Sequence, residues 1–230
     1  MPTTEDPAAG VAAPTARERR QQALAQARRE HILSAAREVF FERGLEGASL
    51  REIARRAGYT AGAIYSYFPS REEVYATLLA ESLERLHARV IGAGLPASTA
   101  AAATAADELR LRALAFFDFY RQHPRDLDLG FYLFHGMQPR GLTPSWNERL
   151  NGRLRDAMRP QDAALRGLGF GAEEATTELT ALFAHTVGLL LLSHTGRIRM
   201  FGRASEDLFV RYVEEIIRRA PAHPPNRRRR

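Results

Sequence analysis

The stretch His31–Leu79, HILSAAREVFFERGLEGASLREIARRAGYTAGAIYSYFPSREEVYATLL, decides the fold. Apolar residues recur at spacings of three and four, the period of a helix with one buried face. Ile32, Ala36, Val39 and Phe40 predict a first helix that begins near Arg17 or Arg28 and runs to Arg43, with Gly44 as a left-handed stop followed by Leu45. Ser49 and Glu52 form a capping box for a second helix, whose inward stripe is Leu50, Ile53, Ala54 and Ala57 and which ends at Gly58. Thr60 caps a third helix, Ala61–Tyr67, pinned inward by Ile64 and Phe68 and stopped by Pro69. Ser70 and Glu73 open a long fourth helix to Val90 through Tyr75, Leu79, Leu83 and Leu86.

Two short helices joined by Gly58, Tyr59 and Thr60 make a helix-turn-helix, whose second helix fits a major groove about 12 Å wide. With Ile64 and Phe68 turned inward, helical geometry turns Gly62, Tyr65 and Ser66 outward. The small side chains of Ala61, Gly62 and Ala63 allow close backbone approach to base edges. The groups suited to phosphates are the helix starts at Ser49, Thr60 and Ser70, the guanidinium groups of Arg51, Arg55, Arg56 and Arg71, and Arg28 and Arg29 of the first helix. Arg55 and Arg56 are equally well read as a solvated face, and Tyr65 and Tyr67 can alternatively pack on the fourth helix.

At Phe40, Gly44, Ser49, Ile53-Ala54, Gly58, Ile64-Tyr65, Phe68 and Arg71 the block resembles the N-terminal segment of TetR-type (tetracycline-repressor-like) transcriptional regulators. The resemblance covers about fifty residues. It implies that Arg51, Thr60, Ala61, Gly62, Tyr65, Tyr67 and Arg71 face DNA. It also implies a homodimer on a near-palindromic operator, a small-molecule effector that releases it, and repression as the usual outcome. Ala61 and Ala63 stand where some members carry base-bonding side chains, which shifts readout toward Tyr65, Arg51 and DNA shape.

The whole chain reads as all-α, with an N-terminal three-helix helix-turn-helix domain followed by a helical ligand-binding and dimerisation domain. Its segments are an arm at 1–27, disordered or partly helical, the DNA-binding domain at 28–69 and a connecting helix at 70–90. The ligand-binding and dimerisation domain at 91–220 and a disordered basic tail at 221–230 complete it. All 33 basic residues are Arg, and of the net +6 nothing falls in the middle: residues 71–220 hold nineteen Arg against nineteen acids. A charged start beside a neutral body suggests polyanion binding by the first part only. After the small-residue run between Ile91 and Ala106, helices are predicted near Asp107–Gln122, Arg125–His135, Pro144–Leu168, Ala172–Thr195 and Ser205–Arg219.

The aromatic run AFFDFYRQHPRDLDLGFYLFHGM offers an apolar wall for a small, apolar or aromatic effector. Its candidate lining is Phe116, Phe119, Tyr120, Phe131, Phe134 and His135, with Trp146, Phe183 and His185 from later helices, each of which can equally be plain core. Leu179, Phe183 and Leu190, with Phe209, Tyr212 and Ile216 of the last helix, are the candidates for a four-helix dimer interface.

Other chemistry finds little support. With no Cys there is no disulfide framework, thiolate metal site or cysteine nucleophile. The seven His fall in no HxxxH or HExxH spacing, so no metal or other cofactor is expected. The doublets Glu72-Glu73, Glu173-Glu174 and Glu214-Glu215 suit solvated helix surfaces, and the GLGFG run at 167–171 follows a helix and lacks dinucleotide spacing. The apolar run Ala181–His194 is short of the ~20 residues of a membrane span, and the first twenty residues lack the pattern of an export signal. A cytoplasmic, non-enzymatic, non-membrane protein is expected. The competing reading is an all-helical carrier or enzyme with an incidental helix-turn-helix.

Overall fold

The computed structural model describes residues 15–94, 103–131 and 142–221. Everything described is helix, turn or extended connector, without a strand among the described residues. Phe134, His135, the loop beyond Pro139 and the Arg227–Arg230 tail lie outside them, as does the start of the arm. The chain divides into two compact units, Met1–Arg71 and Glu72–Arg230.

The first unit holds α1 (Ala16–Gly47), α2 (Leu50–Arg56) and α3 (Ala61–Tyr65). α1 starts where Thr15 and Glu18 cap each other reciprocally, well upstream of its packed part, which begins only at Ile32. Gly44 has the expected positive φ of 67°, yet the chain takes one more helical turn before Ala48 returns to extended backbone. Ile32, Leu33, Val39, Ile53, Ile64 and Phe68 close the core of this unit. α2 ends as a glycine stop should: Tyr59 N donates to Ala54 O at 2.8 Å and Gly58 N to Arg55 O at 3.2 Å, with Gly58 at φ 71°.

Two local expectations are corrected. Ser49 Oγ does accept from Glu52 N at 3.2 Å, but the Glu52 carboxylate, expected to reach back and complete the box, is drawn to Arg55 (2.7 Å) and Arg43 (3.2 Å). α3 stops at Tyr65, not Tyr67, because Ser66 Oγ donates to Ala63 O at 2.7 Å and Pro69 excludes helical backbone at Phe68.

In the second unit, α4 (Arg71–Gly92, its first residue in the other unit) is followed by α5 (Ala105–Gln122), α6 (Pro124–Phe131), α7 (Pro144–Gly167), α8 (Ala172–His194), a 3-10 turn (Arg197–Phe201) and α9 (Ser205–Arg219). α5 packs on α7, α6, α8 and α9, and α8 lies against both α7 and α9. Phe117 and Phe209 stack at 4.4 Å in the centre of that packing. The end of α4 is held by one side chain: Arg112 donates to the carbonyls of Val90 (2.7 Å), Ile91 (2.8 Å) and Ala93 (2.5 Å), and pairs with Glu108 at 2.9 Å. These are the last acceptors a helix leaves unpaired. α8 has 23 residues, so its full length, unlike the Ala181–His194 run alone, matches that of a membrane-crossing helix. In this fold Ala175, Leu182, Thr186, Leu189 and Leu190 form its buried stripe, while Thr177, Thr180, Ala184 and Gly188 line the opposite side.

Candidate nucleic-acid interface

The outward side of α3 is built as the helical period requires. Ile64 is fully buried and Tyr65, one residue on, is 54% exposed; Gly62 and Ser66 are exposed beside it. Thr60 Oγ1 accepts from Ala63 N at 3.3 Å and so fixes the start of the helix. A Cβ added to Gly62 meets no atom within 4 Å, so nothing inside the protein needs a glycine there. The open space belongs to whatever approaches from outside.

The arginines sort into two groups. Arg56 pairs with Glu42 at 2.6 Å and Glu38 at 3.2 Å, and Arg55 with Glu52, so both are occupied by acids of the same unit. Hydrogen bonds from Arg56 and Arg55 hold the Glu42 and Glu52 carboxyls below their ordinary value, and Arg56 is itself raised. Arg28 and Arg51 are exposed and make no ion pair or side-chain hydrogen bond among the described residues. Those two guanidinium groups are left open to solvent.

Arg29 and Arg71, both expected to face phosphate, carry structural work. Arg29 Nη1 donates to Tyr67 O at 3.3 Å and its guanidinium lies 4.2 Å from the Phe68 ring centre. Arg71 Nη1 donates to the carbonyl of buried Ala48 at 3.1 Å, tying the start of α4 to the end of α1. Tyr67 is half-buried, Ala61 half-buried, and Ser49 exposed with its hydroxyl engaged in the α2 cap. Thr60, Ala61, Gly62 and Tyr65 thus share α3 and its cap, Arg51 lies exposed on the neighbouring α2, and Arg29 bonds the Tyr67 backbone and Arg71 the Ala48 carbonyl.

Residues 32–78 match the sequence profile of the tetR family of bacterial regulatory proteins. Over this segment the chain is similar to that family. It is 38% identical over 94 residues to the transcriptional activator FasR of Mycolicibacterium smegmatis, spanning 40% of each chain. To the transcriptional repressor BepR of Brucella suis biovar 1 it is 44% identical over 61 residues, 26% of this chain and 29% of BepR. These similarities thus span well under half the length of either relative. Similarity of fold reaches further: FadR of Bacillus subtilis, solved in complex with stearoyl-CoA, superposes with a TM-score of 0.61 at 19% identity, covering 82% of this chain and 97% of FadR. The matched segment takes in α1 from Ile32 onward, α2, α3 and the start of α4, the part whose outward face is described above.

The second unit contains the aromatic cluster. Tyr120 meets Phe116 (5.4 Å), Phe119 (5.2 Å) and Phe131 (5.6 Å), and Phe183 meets Phe116 (6.1 Å) and Phe131 (5.6 Å). Burial pushes the Tyr120 phenol up, with Asp126 adding to it. Beside the cluster lies a cavity of about 10 Å³, room for roughly one water, lined by Phe116, Phe183, Leu179, Met158, Thr186 and Gln161 among others. It is smaller than the ~300–1,000 Å³ of a drug-sized ligand pocket. Gln161, a buried amide at 2% exposure, had no sequence signal; only the fold brings it to that wall. Trp146 and His185 do not line this cavity. Trp146 sits half-exposed under the Arg149 guanidinium at 4.5 Å, and His185 stacks on Tyr212 at 4.0 Å.

The expected dimer residues need correction. Leu190, Phe209 and Ile216 are fully buried inside their own unit and offer no surface to a partner. Tyr212 is engaged with His185, and Leu179 and Phe183 line the cavity. The apolar side chains that α8 and α9 leave outside are Leu192 and Val210, and the turn between the helices exposes Met200 (76%) and Phe201 (66%). Amphipathic periodicity alone cannot say which edge of a broad apolar face is closed by the chain's own helices.

Proposed function

We propose that the chain is a homodimeric, cytoplasmic DNA-binding transcriptional regulator, a repressor released from a near-palindromic operator by a small effector. The observation that carries this reading is the α3 face: Gly62, Tyr65 and Ser66 open to the outside, with Arg51 exposed on the packed neighbour α2 and without an ion pair among the described residues, in the segment that matches the family. α3 enters the major groove. Tyr65 and the exposed backbone around Gly62 meet base edges, while Arg51, Arg28 and the Thr60 end of α3 meet phosphates.

A second copy joins through the outer sides of α8 and α9, including Leu192 and Val210, on a twofold axis that the operator's symmetry mirrors. The effector is small and apolar or aromatic, received by Phe116, Phe183 and their neighbours with Gln161 as the polar contact. The cavity as it stands is too small for a drug-sized molecule, so binding opens it. That opening acts on α4, the helix whose residues fall in both units, and lowers DNA affinity. Support for an apolar ligand comes from the aromatic lining and from FadR, a similar fold crystallised with stearoyl-CoA.

The test is selection of binding sites from random duplexes. A near-palindromic sequence with half-sites roughly 34–36 Å apart is expected. Recovery of no preferred sequence contradicts the reading.

A further inference from the structure

Residues 16–28 form the first turns of α1 and bury nothing: every side chain from Thr15 to Arg28 is exposed. A free helix of this length is marginal in water, so its stability has to be supplied locally or by a partner. The sequence supplies part of it. Thr15 and Glu18 cap each other, with Thr15 N donating to Glu18 Oε2 at 2.7 Å, and Gln26 Nε2 donates to Glu30 Oε1 at 2.8 Å. Both acids of the segment are thereby engaged in holding the helix, and five Arg stand against those two Glu between Thr15 and Glu30.

The direction of the extension follows from its base. Arg29 contacts Tyr67 and Phe68, just after α3, and His31 Nε2 lies 3.1 Å from Ala57 O with its ring edge-on to Tyr59, just before α3. Residues 29–31 thus touch the chain at both ends of the recognition helix, and α1 continues outward from there for about 20 Å at 1.5 Å per residue. Arg28 shares a face with His31, and Leu24, Arg20 and Arg17 continue that face at spacings of four, four and three. Arg17, Arg20 and Arg28 make no ion pair or side-chain hydrogen bond among the described residues.

We propose that this extension is a second DNA-binding element, which lies along duplex phosphates flanking the sequence read by α3. The proposal rests on the DNA-reading role of α3. Charge complementarity selects the partner: the outward face carries guanidinium groups with one apolar side chain, Leu24, which is too little to hold a second helix. An arm of about 20 Å spans roughly six base pairs at 3.4 Å each, so the protein covers that much more DNA beyond each half-site than the recognition helices alone.

The experiment uses the full chain and a fluorescent duplex carrying the sequence the protein selects, once with flanks of about ten base pairs and once trimmed at the half-site ends. The variant Arg17→Ala/Arg20→Ala/Arg28→Ala is expected to bind the flanked duplex roughly tenfold more weakly at low salt. Its slope of log affinity against log salt should shrink by about 0.9 for each phosphate it no longer neutralises. On the trimmed duplex it should lose no more affinity than Arg28→Ala alone, and the corresponding triple Lys variant should retain the slope. The exposed positions leave the fold intact, which circular dichroism checks.

If the triple Ala variant keeps parental affinity and slope on the flanked duplex while Tyr65→Ala weakens binding, the arm is idle and the α3 reading stands. Should neither change matter, or should no duplex be selected, both readings fall. A changed light-scattering mass for the triple variant makes the partner a second copy of the chain and overturns the proposal.

Discussion

At the scale of single residues, the candidate interface separates side chains that hold the fold from those that face outward. Tyr65 belongs to the second group, so Tyr65→Ala should weaken binding to a selected duplex at least tenfold while the melting temperature stays within a degree or two. Gly62→Leu makes a sharper test. The new side chain enters open space and removes a helical glycine, which costs about 0.5–1 kcal/mol relative to alanine, so the protein should melt no lower than the parent. Specific DNA binding should nonetheless be abolished, because the added bulk stands where base edges approach.

Arg71→Ala should do the reverse and lower stability by about 1–3 kcal/mol in urea unfolding, since the carbonyl of buried Ala48 loses its donor. An unchanged unfolding midpoint would return Arg71 to a pure phosphate role. The recognition face was legible in the sequence because Ile64 and Phe68 fix the rotation of a short helix. The occupation of Arg29, Arg56 and Arg71 was not, because their partners Tyr67, Glu42 and Ala48 are set by folding, whereas the Glu52–Arg55 pair follows from three-residue spacing on α2.

Among elements, the ends and seams of helices carry the least redundancy. Arg112 serves three carbonyls of the α4 terminus at once. Arg112→Ala should destabilise the protein by roughly 1.5–3 kcal/mol, with Arg112→Lys recovering only part, since an ammonium lacks the planar fork.

The seam between α8 and α9 holds His185, stacked on Tyr212, with its ring bonded to the Leu208 backbone and Nε2 buried without a partner among the described residues. Burial lowers its pKa below the ordinary 6.5, the Leu208 bond opposing this. The folded protein thus takes up a proton less readily than the unfolded chain. Stability is full above pH 6.5 and declines as pH falls through the lowered value. Urea midpoints from pH 7.5 down to 5 should drop more for the parent than for His185→Gln; parallel curves would contradict this.

Helix existence and boundaries in this region were legible from Gly and Pro punctuation, and α9 spans the expected Ser205–Arg219, with acids in its first turn and Arg in its last but no side-chain cap at Ala204. The helical start of α1 carries almost no apolar periodicity, so only its Thr15-to-Glu18 cap announces it.

For the whole molecule, the account requires two copies and two linked binding events. Leu192→Arg with Val210→Arg should turn a light-scattering dimer into a monomer without unfolding it, because both side chains are already outside. A variant that stays dimeric moves the interface elsewhere. Effector and DNA affinities must be reciprocally coupled, with a magnitude of ~1–3 kcal/mol, so an effector found by thermal shift should bind less tightly once a selected duplex is present.

All of this rests on sequence-specific recognition by the α3 face. The direct measurement is an anisotropy titration of the selected duplex and of a scrambled duplex of equal length, at physiological salt, with the parent and with Tyr65→Ala. The account predicts that the parent prefers the selected duplex by about a thousandfold or more and that Tyr65→Ala erodes the preference more than the scrambled-duplex affinity. Equal affinity of the parent for the two duplexes would contradict it.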